Sequence, residues 1–104
     1  MTVNNISIRE EQLSEICKRF LIHELALFGS AIREDFNENS DIDLLVEFKP
    51  ESGISLFDII DLKDEFENLF GREVDIVSKN AIKRSNNYIR KKAILENYQV
   101  IYAS

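Results

Sequence analysis

The sequence predicts an α/β (α+β) chain built on a single mixed sheet of about four strands with helices packed against it. Three observations carry this. Apolar residues recur at helical spacing from Leu13 to Leu21 and again from Ile59 to Leu69. Short apolar or alternating runs of strand length separate and follow them. Only three Gly and one Pro occur, so long disordered linkers are not expected, and residues 1–104 read as one domain.

In chain order, Ser7-Ile8-Arg9-Glu10 has the pattern of a capping box, with Leu13, Ile16, Cys17, Phe20 and Leu21 as the stripe of the helix that follows. Cys17 sits inside that stripe and reads as a core residue. Glu24 to Phe28 is a short run stopped by Gly29, which predicts a buried strand. Ser30 to Arg33 starts a short helix, and the polar Glu34 to Ser40 is a loop. Asp41 to Phe48 predicts the second strand, with Ile42, Leu44, Val46 and Phe48 on one face and Asp41, Asp43, Leu45 and Glu47 on the other. Ser55, with Asp58 three residues on, caps a helix that Gly71 stops. Arg72 to Ser78 is a third strand, a helix lies between Asn80 and Asn97, and Gln99 to Ala103 forms a last short strand.

Charge and composition exclude several classes. The net charge of −6 disfavours a general nucleic-acid binder, because an acidic protein repels the phosphate backbone. The charge is uneven, however. Six of the thirteen basic residues fall between Lys79 and Lys92 with no acid among them, leaving seven against nineteen acids elsewhere. That segment reads as a solvated face, as an aid to holding a triphosphate, or as a dock for an acidic partner. A single Cys permits no internal disulfide, and the start of the chain lacks a basic, apolar leader, so a reducing, cytoplasmic setting is expected. No run approaches the ~18 apolar residues of a membrane span.

The chemistry lies in two short segments. Side chains two apart on a strand share a face, their Cα atoms roughly 7 Å apart. Asp41 and Asp43 meet that condition, and Asp75 lies opposite the apolar side of another strand. If those strands are neighbours, three carboxylates converge on one patch. Such crowding is unfavourable without a cation, and an all-oxygen set without His or Cys favours Mg²⁺ or Mn²⁺ over zinc. Gly29-Ser30, where a strand gives way to a helix start, exposes backbone N–H groups as a phosphate seat, and Arg33 is placed to neutralise a phosphate oxygen. A phosphate seat beside a divalent-metal seat describes metal–nucleotide binding and phosphoryl-type transfer.

Leu27-Phe28-Gly29-Ser30-Ala31-Ile32-Arg33, then Asn39-Ser40-Asp41-Ile42-Asp43-Leu44-Leu45-Val46-Glu47-Phe48, and later Glu73-Val74-Asp75-Ile76-Val77, resemble the minimal nucleotidyltransferases of the DNA polymerase beta superfamily. The resemblance spans nearly the whole chain and is greatest to the antitoxin subfamily paired with HEPN-domain ribonuclease toxins. It implies a polymerase-beta-like palm fold, with Gly29 and Ser30 on the nucleotide phosphates and Asp41, Asp43 and Asp75 as metal-binding catalytic carboxylates. It further implies transfer of AMP from ATP to a tyrosine of the toxin. The sequence departs from the family pattern at Glu34, where many relatives carry Gly after the Arg.

Two other functions are open at this stage. One is an interaction module that neutralises its partner by binding alone; the other is nucleotidyl transfer to a small molecule or RNA. The sheet and its helices leave no segment for an acceptor-binding domain, so the acceptor is expected in trans, from a partner protein. His23 reads as a surface or hinge residue. Tyr88, Tyr98 and Tyr102 read as packing residues, with adenine stacking or modification of Tyr88 as the alternative. The acids from Asp58 to Glu67 read as the solvated face of their helix.

Overall fold

The computed structural model describes residues 1–37 and 39–104. Strands β1 (Thr2–Val3) and β2 (Ile6–Ser7) form a small hairpin ahead of helix α1 (Glu10–Arg19). Strand β3 (Ile22–Phe28), a 3₁₀ turn (Gly29–Ile32) and strand β4 (Ile42–Phe48) follow. Helix α2 (Leu56–Phe70), strand β5 (Val74–Ser78), helices α3 (Lys79–Lys83) and α4 (Tyr88–Leu95) and strand β6 (Tyr98–Ala103) complete the chain. The main sheet has four strands in the order β5-β4-β3-β6. β3 pairs antiparallel with β4 and β6, whereas β4 and β5 run parallel, joined by the α2 crossover. The sheet is therefore mixed, as expected.

Period-two alternation sends the two sets of strand residues to different layers. Leu25 and Leu27 of β3 and Ile42, Leu44 and Val46 of β4 pack with Leu13, Ile16 and Cys17 of α1 and Leu62 and Phe66 of α2. Ala26, Phe28 and Leu45 point the other way and meet Ile82 and Ile94 from α3 and α4. Asp43 alternates with Leu44 on β4, so it falls on the side that only the short helices cover.

The α2 signals act as expected. Ser55 and Asp58 form a reciprocal capping box, with the Ser55 amide donating to Asp58 Oδ2 at 2.9 Å. Gly71 ends the helix in the left-handed conformation at φ 71°. The capping box expected from Ser7 and Glu10 does not form. Ser7 belongs to β2, paired with Thr2, and α1 starts after Arg9 with no side-chain cap. Between Val3 and Ile6, Asn4 and Asn5 both adopt positive φ, which closes a two-residue hairpin of the type whose twist matches its strands. Leu21 is not part of the helical stripe. It follows the helix end at φ 55° and is 41% exposed, so that β3 can begin at Ile22. The helix expected between Asn80 and Asn97 is two helices, interrupted where Asn87 caps α4 by accepting from the Arg90 amide. The expected loop from Glu34 to Ser40 includes residue 38, which lies outside the described residues.

Candidate active site

The expected phosphate seat lies at the end of β3. Gly29 takes φ 60°, a left-handed conformation that L side chains rarely adopt. A Cβ there would also lie 2.5 Å from Asp43 Oδ2. Two independent constraints thus demand glycine. Ser30 is tied to the Asp41–Asp43 segment: its hydroxyl donates to the Asp41 carbonyl at 3.2 Å and to Asp43 Oδ2 at 3.5 Å.

The sheet register unites the carboxylates. Asp43 is the Cα partner of Asp75 across the parallel β4–β5 pair and of Phe28 across the antiparallel β3–β4 pair. The condition that the two Asp-bearing strands be neighbours is met. Asp41 stands just before β4, exposed, while Asp43 is half-buried and Asp75 exposed. Burial, above all, raises the Asp43 pKa, and the charges of Asp75 and Asp41 add to that; the Ser30 amide and hydroxyl pull the other way. Electrostatically the three acids share one patch. Among the described residues, however, no three acidic, His or Cys side chains are gathered into a ready metal-holding group. Like charges repel, and Asp43 is turned toward Ser30. The donor chemistry fits a hard divalent cation through carboxylate oxygens.

Arg33 ends the 3₁₀ turn, is exposed, and sets its Nε 3.4 Å from Asp35 Oδ1. Glu34 is not among the residues with positive φ. The missing Gly at position 34 therefore carries no backbone penalty. Arg33 shares a groove of about 560 Å³ with Gly29 and with Arg90 from α4.

Several residues that support the site escaped sequence reasoning. Asn4, in the N-terminal hairpin, donates its amide to the Ala31 and Arg33 carbonyls, each at 2.9 Å, and so braces the 3₁₀ turn. Arg72 donates to the Asn37 and Ser40 carbonyls at 2.9 and 3.1 Å, and its guanidinium lies 4.7 Å from the centre of the Phe36 ring. It thus anchors the loop that leads into Asp41. The Asn-Asn pair between short extended runs was a turn signal; nothing local marks Arg72.

The basic segment divides by role. Lys79 is 9% exposed and reaches Glu24 and the Tyr98 hydroxyl, each at 3.2 Å. Burial, the largest influence, lowers its pKa, but Tyr98 and Glu24 together more than reverse this, so the net direction is upward. Lys83 pairs with Glu47 at 3.3 Å. Lys79 is held inside the fold, whereas Lys83 forms its ion pair at the surface. His23 is about half exposed beside Glu47, at the opposite end of β3 from Phe28, the partner of Asp43.

A sequence model of the nucleotidyltransferase domain matches residues 9–101. The chain belongs to the nucleotidyltransferase domain family. Within that family it is 39% identical over 77 residues to the protein adenylyltransferase MntA of Thermococcus cleftensis, covering 74% of this chain and 76% of that protein. A solved structure provisionally named a minimal nucleotidyltransferase superposes with a TM-score of 0.66 at 35% identity, over 86% of this chain and 84% of its own. The fold also matches a Shewanella oneidensis complex of a tri-AMPylated HEPN toxin with its MNT antitoxin, at TM-score 0.58 and 15% identity, over 91% of this chain and 70% of that one. This nucleotidyltransferase has no helix, among the described residues, long and apolar enough to cross a membrane.

Proposed function

We propose that this nucleotidyltransferase moves AMP from ATP to a tyrosine hydroxyl of a partner protein, a HEPN-type ribonuclease toxin that the modification inactivates. The observation that carries the chemistry is the pairing of Asp43 with Asp75 across β4 and β5, beside a Gly29-Ser30 turn that touches Asp43. The related archaeal protein is named a protein adenylyltransferase, and the antitoxin of like fold is bound to an AMP-bearing HEPN toxin. Both support the choice of acceptor.

In this reading the backbone of the Gly29–Ser30 turn and the Ser30 hydroxyl hold phosphate oxygens, and Arg33 neutralises one of them. Asp41, Asp43 and Asp75 would hold Mg²⁺ or Mn²⁺, which when bound offsets phosphate charge and acidifies the acceptor hydroxyl. The acceptor oxygen attacks the α-phosphorus in line, forming a new P–O bond as the bond to the β-phosphate breaks and pyrophosphate leaves. Asp75, the more exposed of the paired carboxylates, receives the hydroxyl proton.

The test is transfer of label from α-labelled ATP to the partner with Mg²⁺ present. Asp43→Asn is expected to abolish it. Equal labelling by that variant would overturn the reading. Full neutralisation of the toxin by unlabelled complex with Asp43→Asn would instead establish inhibition by binding alone.

A further inference from the structure

The groove beside Gly29 is distinct from the carboxylate patch. Its lining is largely apolar, from Phe28 and Ile32 at the end of β3 and the following turn and from Ala93 and Ile94 of α4. Arg33 and Arg90 flank it, and Asn97, just past α4, supplies a further polar group. At about 560 Å³ it lies within the range of roughly 300–1,000 Å³ usual for small-molecule sites. Because Gly29 also lines this groove, phosphates seated on the turn would leave the rest of a nucleotide adjoining it.

We infer that the groove receives the nucleobase, and that Arg90 and Asn97 select adenine. This rests on the nucleotidyl-transfer reading above and adds to it two residues from the far end of the chain. Arg90 is exposed, and among the described residues its guanidinium makes no ion pair or side-chain hydrogen bond. A planar cation lining a largely apolar groove is suited to stack on a purine and to attract the adjoining phosphates. Asn97 donates its Nδ2 to the Ala93 carbonyl at 3.2 Å. That bond fixes the amide and leaves Oδ1 as a free acceptor. An acceptor meets the exocyclic amine of adenine and opposes the carbonyl oxygen that guanine carries at the same ring position. A polar group placed to bond one base discriminates against another that leaves it unpaired.

Calorimetric titration of the full chain with Mg²⁺ and the α,β-methylene analogues of ATP and GTP tests this. Arg90→Ala is expected to weaken both analogues about tenfold, as for loss of a charge-assisted contact. Asn97→Ala is expected to weaken the ATP analogue about fivefold, as for one hydrogen bond, and to leave the GTP analogue unchanged. Both positions are exposed, and thermal melting verifies that the variants fold. Arg90→Lys, which keeps the charge but not the planar face, should fall between wild type and Arg90→Ala. If Arg90→Ala and Asn97→Ala bind like wild type while Ser30→Ala loses affinity, the base lies elsewhere and the transfer reading stands. If the wild-type chain binds neither analogue, both readings fail. A wild-type preference for the GTP analogue overturns the role of Asn97.

Discussion

Gly29 and Asp43 are packed so closely that residue 29 has no room for a side chain: a Cβ there would come within 2.5 Å of Asp43 Oδ2. The glycine of the proposed phosphate seat and the residue that faces Asp75 are thus one mechanical unit. Gly29→Ala meets both this clash and a φ of 60°. It should cost about 1–2 kcal/mol of stability through the backbone alone. Displacing Asp43 should also slow nucleotidyl transfer by about 100-fold. Denaturant melts and a transfer assay check the two effects separately; unchanged transfer would show that Asp43 moves aside freely.

Asn4 is expected to matter although it contacts none of the carboxylates. Asn4→Ala removes two hydrogen bonds to the Ala31 and Arg33 carbonyls. The loss is about 1 kcal/mol for each, concentrated on the turn. Amide hydrogen exchange should quicken across 29–33 and nucleotide affinity should fall, while α2 keeps its protection. Uniform exchange across the chain would mean that the hairpin supports the fold generally and not the turn.

The site is bought at the expense of stability. Asp43 is half-buried and feels the charges of Asp75 and Asp41, so its negative charge is unfavourable in the folded chain without a cation. Asp43→Asn keeps the shape and a carbonyl to accept from Ser30. In metal-free buffer that variant should melt at a higher temperature than wild type while losing transfer. Addition of Mg²⁺ should raise the melting temperature of wild type and not of the variant. A lower melting temperature for the metal-free variant would show that the Ser30–carboxylate bonds outweigh the repulsion.

Two buried groups predict a loss of stability in alkali. Burial pushes the Cys17 thiol from its ordinary 9.0 up to about 12. The folded state therefore holds a proton that the unfolded chain releases first. Stability is intact below pH 9.0 and falls from there until about pH 12. The slope is about 1.4 kcal/mol per pH unit. Lys79, also raised, has the same sign: its contribution is present below its ordinary value and declines as pH climbs past it. Urea melts from pH 7 to pH 11 should show the decline, and Cys17→Ala should flatten it in part. Rapid thiol alkylation of the native chain at pH 8 would contradict the burial of Cys17.

What could be read from sequence was what local pattern fixes. Gly29-Ser30 and Asp41-x-Asp43 announce their chemistry in short segments, and strand alternation put Asp75 on the correct face. Whether Asp75 reaches Asp43 depended on strand adjacency, which periodicity leaves open and the parallel β4–β5 pairing settles. The errors arose where one pattern served two structures. Ser7 looks like a cap, but pairing with Thr2 competes for the same residues and prevails. Ser85-Asn86-Asn87 carried the break between α3 and α4, a polar turn signal that the single helix expected between Asn80 and Asn97 ran across. Arg72 lies far in sequence from the carbonyls that it binds, and no local signal marks it.

The parallel pairing of β4 with β5 also sets an order of events. Antiparallel neighbours can meet through short connections, but β5 reaches β4 only after the 15-residue helix α2 has crossed over the sheet. A chain emerging from synthesis as far as Gly71 already holds the glycine turn and the first two acids, yet lacks the strand that bears the third. The acidic patch is therefore complete only when the sheet is, since Asp75 comes opposite Asp43 through that last parallel pairing.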